Sequence, residues 1–409
     1  MNIDNIREDF PILKRKINNN KIIFFDNAAT TQKPNAVINS IVNYYENYNS
    51  NIHRSVYTLG NESENLYSES KDIVKNFINA KHSEEIIYTS GTTESINILS
   101  RMLEEKIEEN DEIIVSSIEH HSNFIPWQQL AKRKKAKLRI LEVDNNHEIS
   151  IQKLKKIINS NTKIISLTYA SNVLGTINPI EKIGNQLSEK NIYFIVDAAQ
   201  AVPHFKIDVQ KINCDFLVFS GHKLLASTGI GVLYGKKNIL DNLSPAKYGG
   251  GMIKTVNDFK SSWAPIPYKY EAGTPLLEQA VSLMAAIKYI NNIGIDNIEK
   301  YTKYLTNYLL KKLETIKDLE IYGTRDVNKK VSLISFNLKN IHPHDLASFL
   351  DAKGICVRAG HQCTQPLLCR LNVSSVVRVS LYFYNTIEEI DIFIETLKDI
   401  REFFKNEFW

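Results

Sequence analysis

The sequence predicts an α/β protein: a mostly parallel sheet covered by helices, followed by a smaller α+β unit. Two patterns carry this expectation. Short β-rich runs alternate with longer helix-patterned segments over the first two thirds of the chain, and the strands are continuously apolar, as strands buried on both faces must be. After about Thr274 the alternation stops and long helical segments take over. A chain of 409 residues is long enough to bury more than one core.

Strands are expected at Lys21-Phe25, Glu85-Tyr88, Glu112-Ser116, Lys137-Leu141, Lys163-Thr168, Ile192-Val196, Phe216-Phe219 and Gly231-Tyr234. Amphipathic helices lie between several of them, at Thr93-Ile107, Phe124-Lys134 and Pro179-Lys190. Tyr248-Tyr270 has three glycines and no regular period, and reads as a protruding loop or hairpin. Two helices then follow, Leu276-Asn292 and Asp296-Lys317. After them come a strand (Val331-Phe336), a helix (Pro343-Ala352), a short strand near Ile355-Val357, a strand (Val376-Leu381) and a final helix from Thr386.

Charge narrows the function classes. The 50 basic and 46 acidic residues nearly balance, which argues against a protein built to coat nucleic acid. The basic run Lys132-Lys137 suits the end of a solvated helix. No apolar stretch approaches the roughly 20 residues that span a bilayer. The first nine residues carry acids and no apolar signal core, so neither a membrane nor an export signal is expected. Four cysteines in so long a chain do not form a disulfide framework, and a reducing cytoplasm is the natural reading.

Four short stretches could carry chemistry. Ser90-Gly91-Thr92-Thr93 lies between a strand and a helix, where free N–H groups suit a phosphate, or where Thr and Ser simply cap the helix. Asp197 ends a strongly apolar strand; a carboxylate there must be paired, and it could equally cap the next turn. His120 and His121 lack the i, i+4 spacing of a zinc helix; one histidine stacked on a flat ring or moving a proton fits better, with a merely hydrogen-bonded histidine as the alternative. Ser220-Gly221-His222-Lys223 puts a lysine at another strand end. A phosphate cradle, an Asp at one strand end and a lysine at the next are together the equipment for pyridoxal 5′-phosphate, with Lys223 forming the imine.

Over nearly its whole length the chain resembles the SufS-type cysteine desulfurases, fold-type I pyridoxal-phosphate enzymes. The resemblance is carried by Phe25-Asp26-Asn27-Ala28-Ala29-Thr30-Thr31-Gln32-Lys33-Pro34, His53-Arg54, Glu119-His120-His121-Ser122-Asn123, Ser171-Asn172-Val173-Leu174-Gly175-Thr176 and Asp197-Ala198-Ala199-Gln200. It continues through Gly221-His222-Lys223, Glu271-Ala272-Gly273-Thr274-Pro275, Arg358-Ala359-Gly360-His361-Gln362-Cys363 and Arg378-Thr386. It implies a large domain with a seven-stranded, mostly parallel sheet over residues 21–275. The small domain, residues 1–20 and 276–409, would carry the cysteine loop. It implies that His120 stacks on the cofactor ring, Asp197 pairs with the pyridinium nitrogen and Gln200 bonds the phenolic oxygen. Thr92, Ser220 and His222 would hold the phosphate, with Gly273 and Thr274 reaching in from a second subunit of a homodimer. Asn172 and Arg378 would bind the substrate, Arg358 would flank the loop, and Cys363 would take the sulfur of L-cysteine as a persulfide, leaving alanine.

The short loop matches the SufS-type group and implies a SufE- or SufU-type acceptor feeding Fe–S scaffold proteins. Cys356, Cys363 and Cys369 show no CxxC pair, so no metal is expected there; Cys356 and Cys214 read as packing residues. His342-Pro343-His344-Asp345 reads as a helix start with Pro in its first turn, or as a contact for the acceptor. Two departures stand out. Leu225-Ala226-Ser227 replaces the family's aromatic-Gly-Pro after the lysine, which is expected to loosen that loop, and Gln362 replaces a second histidine. The rival activities are a selenocysteine lyase and a catalytically weakened scaffold of the same fold.

Overall fold

The computed structural model describes residues 2–144 and 147–408. The large sheet has seven strands: β1 (Ile86–Thr89), β2 (Glu112–Ser116), β3 (Lys137–Leu141), β4 (Thr162–Thr168), β5 (Tyr193–Asp197), β6 (Phe216–Ser220) and β7 (Gly231–Gly235). Their spatial order is β1-β7-β6-β5-β4-β2-β3. Only β7 runs against its neighbours; the other contacts are parallel. The carboxyl ends of six strands therefore open onto one edge, where Thr89, Ser116, Thr168, Asp197 and Ser220 lie.

Why these strands read as unbroken apolar runs is visible in their two faces. Along β6, Leu217 and Phe219 enter one core while Phe216 and Val218 enter another on the opposite side. The same alternation places Ile165 and Leu167 of β4 against Ile164. A strand buried on both faces has no position where a polar side chain is free of cost.

A second sheet lies in the C-terminal part. Its strands are β8 (Leu319–Tyr322), β9 (Leu333–Leu338), β10 (Arg358–Gly360) and β11 (Val376–Ser380), in the antiparallel order β8-β9-β11-β10. A separate apolar cluster under it joins Phe336, Val377 and Val379 to Leu305, Leu309 and Phe393. Ile23–Phe24 pairs in parallel with Ile355–Cys356, and Ile23 and Phe25 lie in this same cluster. The N-terminal Phe10 packs its ring on Phe383 and Tyr384.

The expected helices appear at Thr92–Met102, Ile125–Lys134, Ile180–Leu187, Leu277–Ile293 and Ile295–Leu313. Residues 248–270 contain the hairpin Ile253–Val256/Ser261–Trp263. Two long helices, Asn35–Asn47 and Thr58–Phe77, went unassigned from sequence; both pack on Leu277–Ile293. No helix among the described residues is long and apolar enough to cross a membrane.

Candidate active site

One cavity of about 570 Å³ opens at the carboxyl edge of the large sheet, and it gathers almost every residue singled out above. Thr92, His120, Asn172, Asp197, Gln200, Ser220, His222, Lys223, Arg358, Cys363 and Arg378 all line it. Gly273 and Thr274 do not; they are exposed on the surface outside this pocket.

The large sheet supplies the floor. Strand β6 ends at Ser220, and the chain turns at once through a single 3₁₀ turn, Gly221–Lys223. This aims the lysine into the cavity. Burial pulls the Lys223 ammonium down to about 8, with Asp197 acting in the opposite sense. A lysine so shifted holds a sizeable neutral fraction near neutral pH, which a nucleophilic amine requires. Asp197 is the last residue of β5; its Oδ1 accepts the Ala199 N–H at 2.9 Å, and burial raises its pKa.

Beside the lysine lies a cradle of donors. Thr92 opens an eleven-residue helix; its N–H donates to Ser220 Oγ at 2.9 Å, and the two hydroxyls lie 2.8 Å apart. The cradle closes because Gly231 has no side chain: a Cβ there would stand 2.4 Å from Gly91 Cα. A helix N-terminus and two hydroxyls in this arrangement suit a phosphate.

His120 Nδ1 accepts the Ser122 N–H at 3.1 Å, so the ring proton sits on Nε2. Burial, then Lys223, hold its pKa down to about 3, so the ring is a flat neutral imidazole. Gln200 is buried and donates to the Ala28 carbonyl at 2.7 Å.

The second sheet supplies the other wall. Its register sets Arg358 directly opposite Arg378, a repulsive pairing unless an anion is shared. Asp26 is that anion: Arg358 donates to it through Nε (3.1 Å) and Nη2 (2.7 Å), and Arg378 through Nη2 (3.2 Å). Arg378 is 3% exposed. Its Nη1 donates to the Asn172 carbonyl at 3.0 Å, and its Nε is buried without a partner. An orphaned guanidinium N–H on a residue that lines the cavity is an unused donor for a carboxylate once the Asp26 contact gives way. The Asn172 amide is engaged by the cysteine loop, donating to the Gln362 carbonyl at 2.7 Å and accepting from Thr364 Oγ1 at 3.2 Å.

Cys363 is exposed at the mouth, whereas Cys214 is fully buried and Cys356 half-buried. Burial pushes the Cys214 thiol up, and pushes Cys356 up to about 11.

The sequence reading missed two contributors. Asp26, inside the motif Phe25–Pro34, is the anion between the two arginines. Lys33 donates to the His222 carbonyl at 2.9 Å, and Thr30 Oγ1, Thr31 Oγ1 and Thr31 N–H reach the same oxygen at 3.1 Å. Four donors thus fix the peptide that precedes Lys223. The loop Leu225-Ala226-Ser227 is also better held than expected. Leu225 N–H donates to Thr31 Oγ1 at 2.9 Å, and Ser227 Oγ lies 2.8 Å from Ser282 Oγ. His342 caps the helix Pro343–Ala352 by accepting the His344 N–H, as a helix start would.

Comparison with known proteins agrees with this geometry. The aminotransferase class-V family model matches residues 23–393. The chain belongs to this family. A probable cysteine desulfurase of Staphylococcus aureus is 46% identical over 407 residues, 99% of this chain and 98% of that one. One of Staphylococcus epidermidis is 47% identical over 402 residues, 98% and 97% of the two chains. Among solved structures, the apo cysteine desulfurase of Thermococcus onnurineus superposes with a TM-score of 0.93 at 35% identity over 98% of both chains. The Escherichia coli cysteine desulfurase CsdA gives 0.91 at 31% identity, over 98% of this chain and 99% of that one. This member of the class-V family is thus a pyridoxal-phosphate enzyme of fold-type I, and its cavity fits that group. The donor cradle, the strand-end Asp197 and the depressed Lys223 converge on one space.

Proposed function

We propose that the cavity binds L-cysteine and that Cys363 removes its sulfur, the cysteine desulfurase reaction, leaving L-alanine. The observation that carries this is the convergence of Lys223, Asp197, the unpartnered Arg378 Nε and the exposed Cys363 on one cavity.

Thr92, Ser220 and His222 would hold the cofactor phosphate, His120 would cover its ring, and Gln200 and Asp197 would meet its phenolic oxygen and ring nitrogen. Lys223 would hold it covalently. When bound, pyridoxal phosphate supplies an electron sink that labilises the substrate α-proton and weakens the C–S bond.

Arg378 grips the substrate carboxylate through Nε and Nη2, taking over the bond now made to Asp26, with Arg358 alongside. Asn172 braces the loop above it. Lys223 Nζ, once freed, carries the α-proton. The Cys363 thiolate attacks the substrate sulfur: an S–S bond forms, the C–S bond breaks, and its electron pair stays with the three-carbon fragment, which is protonated and leaves as alanine. An acceptor thiol then takes the terminal sulfur from the persulfide.

The short Cys363 loop favours the SufS-type group, with a SufE- or SufU-type acceptor that carries sulfur toward Fe–S scaffold proteins in the cytoplasm. Gly273 and Thr274, exposed and outside the cavity of their own chain, would complete the phosphate site of a second copy in a homodimer. The test is alanine and sulfide release from L-cysteine with reductant present. Wild type releases both, Cys363→Ala loses sulfide from cysteine, and Lys223→Ala loses the visible absorbance of the bound cofactor. Full sulfide release by Cys363→Ala would refute the assignment.

A further inference from the structure

The loop that carries Cys363 is held in a conformation its own residues disfavour. Gln362 and Cys363 both adopt left-handed backbone angles, φ 53° and 54°, where a side chain crowds the carbonyl. Something outside the loop must fix it.

His121 holds the loop at Cys363 and again two residues after it. Its main-chain N–H donates to the Cys363 carbonyl at 2.7 Å. Its ring Nε2 accepts the Gln365 N–H at 3.1 Å. That N–H belongs to the first residue of the helix Gln365–Arg370 and has no partner within the helix. The neighbouring His361, 5.8 Å away between ring centres, accepts the Cys363 N–H on Nδ1 at 3.1 Å. The Cys363 peptide groups are therefore pinned at both ends.

An acceptor Nε2 must be unprotonated, and burial together with His361 holds the His121 pKa below its usual value. None of the cofactor, substrate or proton-transfer roles uses this ring.

We propose that His121 is a positioning residue: its main-chain N–H holds the Cys363 carbonyl, its neutral ring holds the Gln365 N–H two residues on, and this bracket sets the thiol at the distance needed to attack the substrate sulfur. This rests on Cys363 being the nucleophile. The reacting atoms must approach closely before attack, so a loosened bracket lowers the rate of sulfur transfer without weakening substrate binding.

The experiment uses the holoenzyme. Hydrogen exchange is followed in the peptide spanning residues 358–366, and KM and kcat for L-cysteine are measured beside it. In wild type the Gln365 amide is expected to be protected although the residue is exposed. His121→Leu removes the acceptor and is expected to speed that exchange and lower kcat by about fivefold, the worth of one neutral hydrogen bond, with KM unchanged. His121→Gln presents Oε1 where Nε2 stood and is expected to restore both. Equal losses in the Gln and Leu variants, or wild-type exchange in the Leu variant, would overturn the proposal. So would an unprotected Gln365 amide in wild type, which decides the matter even if the Leu variant does not fold. Cys363→Ser separates the two readings: full activity there would fail the nucleophile, while Gln365 protection would still report on the bracket.

Discussion

Adding one methyl group at Gly231 should disable the phosphate cradle. A Cβ at this position would lie 2.4, 2.7 and 2.8 Å from the Cα, C and N atoms of Gly91. All three are backbone atoms, so no rotamer change relieves the clash. Ordinary carbon contacts need about 3.5 Å, so the Gly91 main chain must retreat by about 1 Å. Gly91 is the N-cap of the helix that begins at Thr92. Its displacement draws the Thr92 N–H and hydroxyl away from Ser220 Oγ, now at 2.9 and 2.8 Å. The same N–H and hydroxyl would bond the phosphate, and losing two such bonds at about 1 kcal/mol each amounts to about 2 kcal/mol, or roughly thirtyfold weaker cofactor binding. Overpacking adds a stability cost of about 1–3 kcal/mol. The assay is equilibrium titration of cofactor-free Gly231→Ala by absorbance, with Gly250→Ala as control, since a Cβ there meets nothing within 4 Å. Wild-type affinity in Gly231→Ala would refute the reasoning that this close approach builds the cradle.

Three further outcomes follow from the buried charges. Lys71→Met strands the Glu271 carboxylate, now 2.7 Å from the ammonium with both side chains about one-twentieth exposed, and should cost about 3–5 kcal/mol; Lys71→Met/Glu271→Leu should recover much of it in thermal denaturation. Lys223, held down to about 8, is half neutral there, so the rate at which cofactor-free enzyme captures pyridoxal phosphate should rise with pH through that value and level off about one unit above it; a rate still climbing at pH 10 would mean an ordinary lysine. Lys33 is held down to about 7 by burial, so between pH 7 and its unfolded value near 10.5 the unfolded chain binds more protons, and stability should rise with pH across that window; Lys33→Met should flatten the rise in urea midpoints measured at pH 7 and 9.

The strands that build the floor were legible because burial on both faces leaves a plain mark: four unbroken apolar residues ended by a polar one, as in Phe216–Ser220. Asp197 and Ser220 stood out because each ends such a run, and Lys223 because it follows one by a single short turn. The helices Asn35–Asn47 and Thr58–Phe77 left no comparable mark. The second is polar along most of its length, and among its buried positions Gly60, Ser63, Ser70 and Lys71 are not apolar; Lys71 is buried because Glu271, two hundred residues away, neutralises it. Leu319–Tyr322 was missed for a similar reason, since an edge strand with alternating exposure resembles a loop. Asp26, Lys33 and His121 act through main-chain atoms or through distant partners. Their roles depend on register and on which carbonyl lies in reach, and neither is written in residue type.

The placement of the cysteine follows from two demands that pull in opposite directions. In the proposed reaction Lys223 works inside the cavity and can be buried, whereas the Cys363 thiol would have to meet both the substrate and the group that carries the sulfur away, and so stay exposed. Only four residues, 361–364, separate strand β10 from the helix Gln365–Arg370. Four extended residues span at most about 14 Å, and the loop is far from extended. The Gln362 carbonyl is fixed by Asn172, the Cys363 carbonyl by His121 and the Cys363 N–H by His361. A thiol tethered this closely cannot carry sulfur across the surface. On the proposed function an acceptor would come to the mouth of the cavity, and the surface around His121, His344 and His361 is what it would meet there.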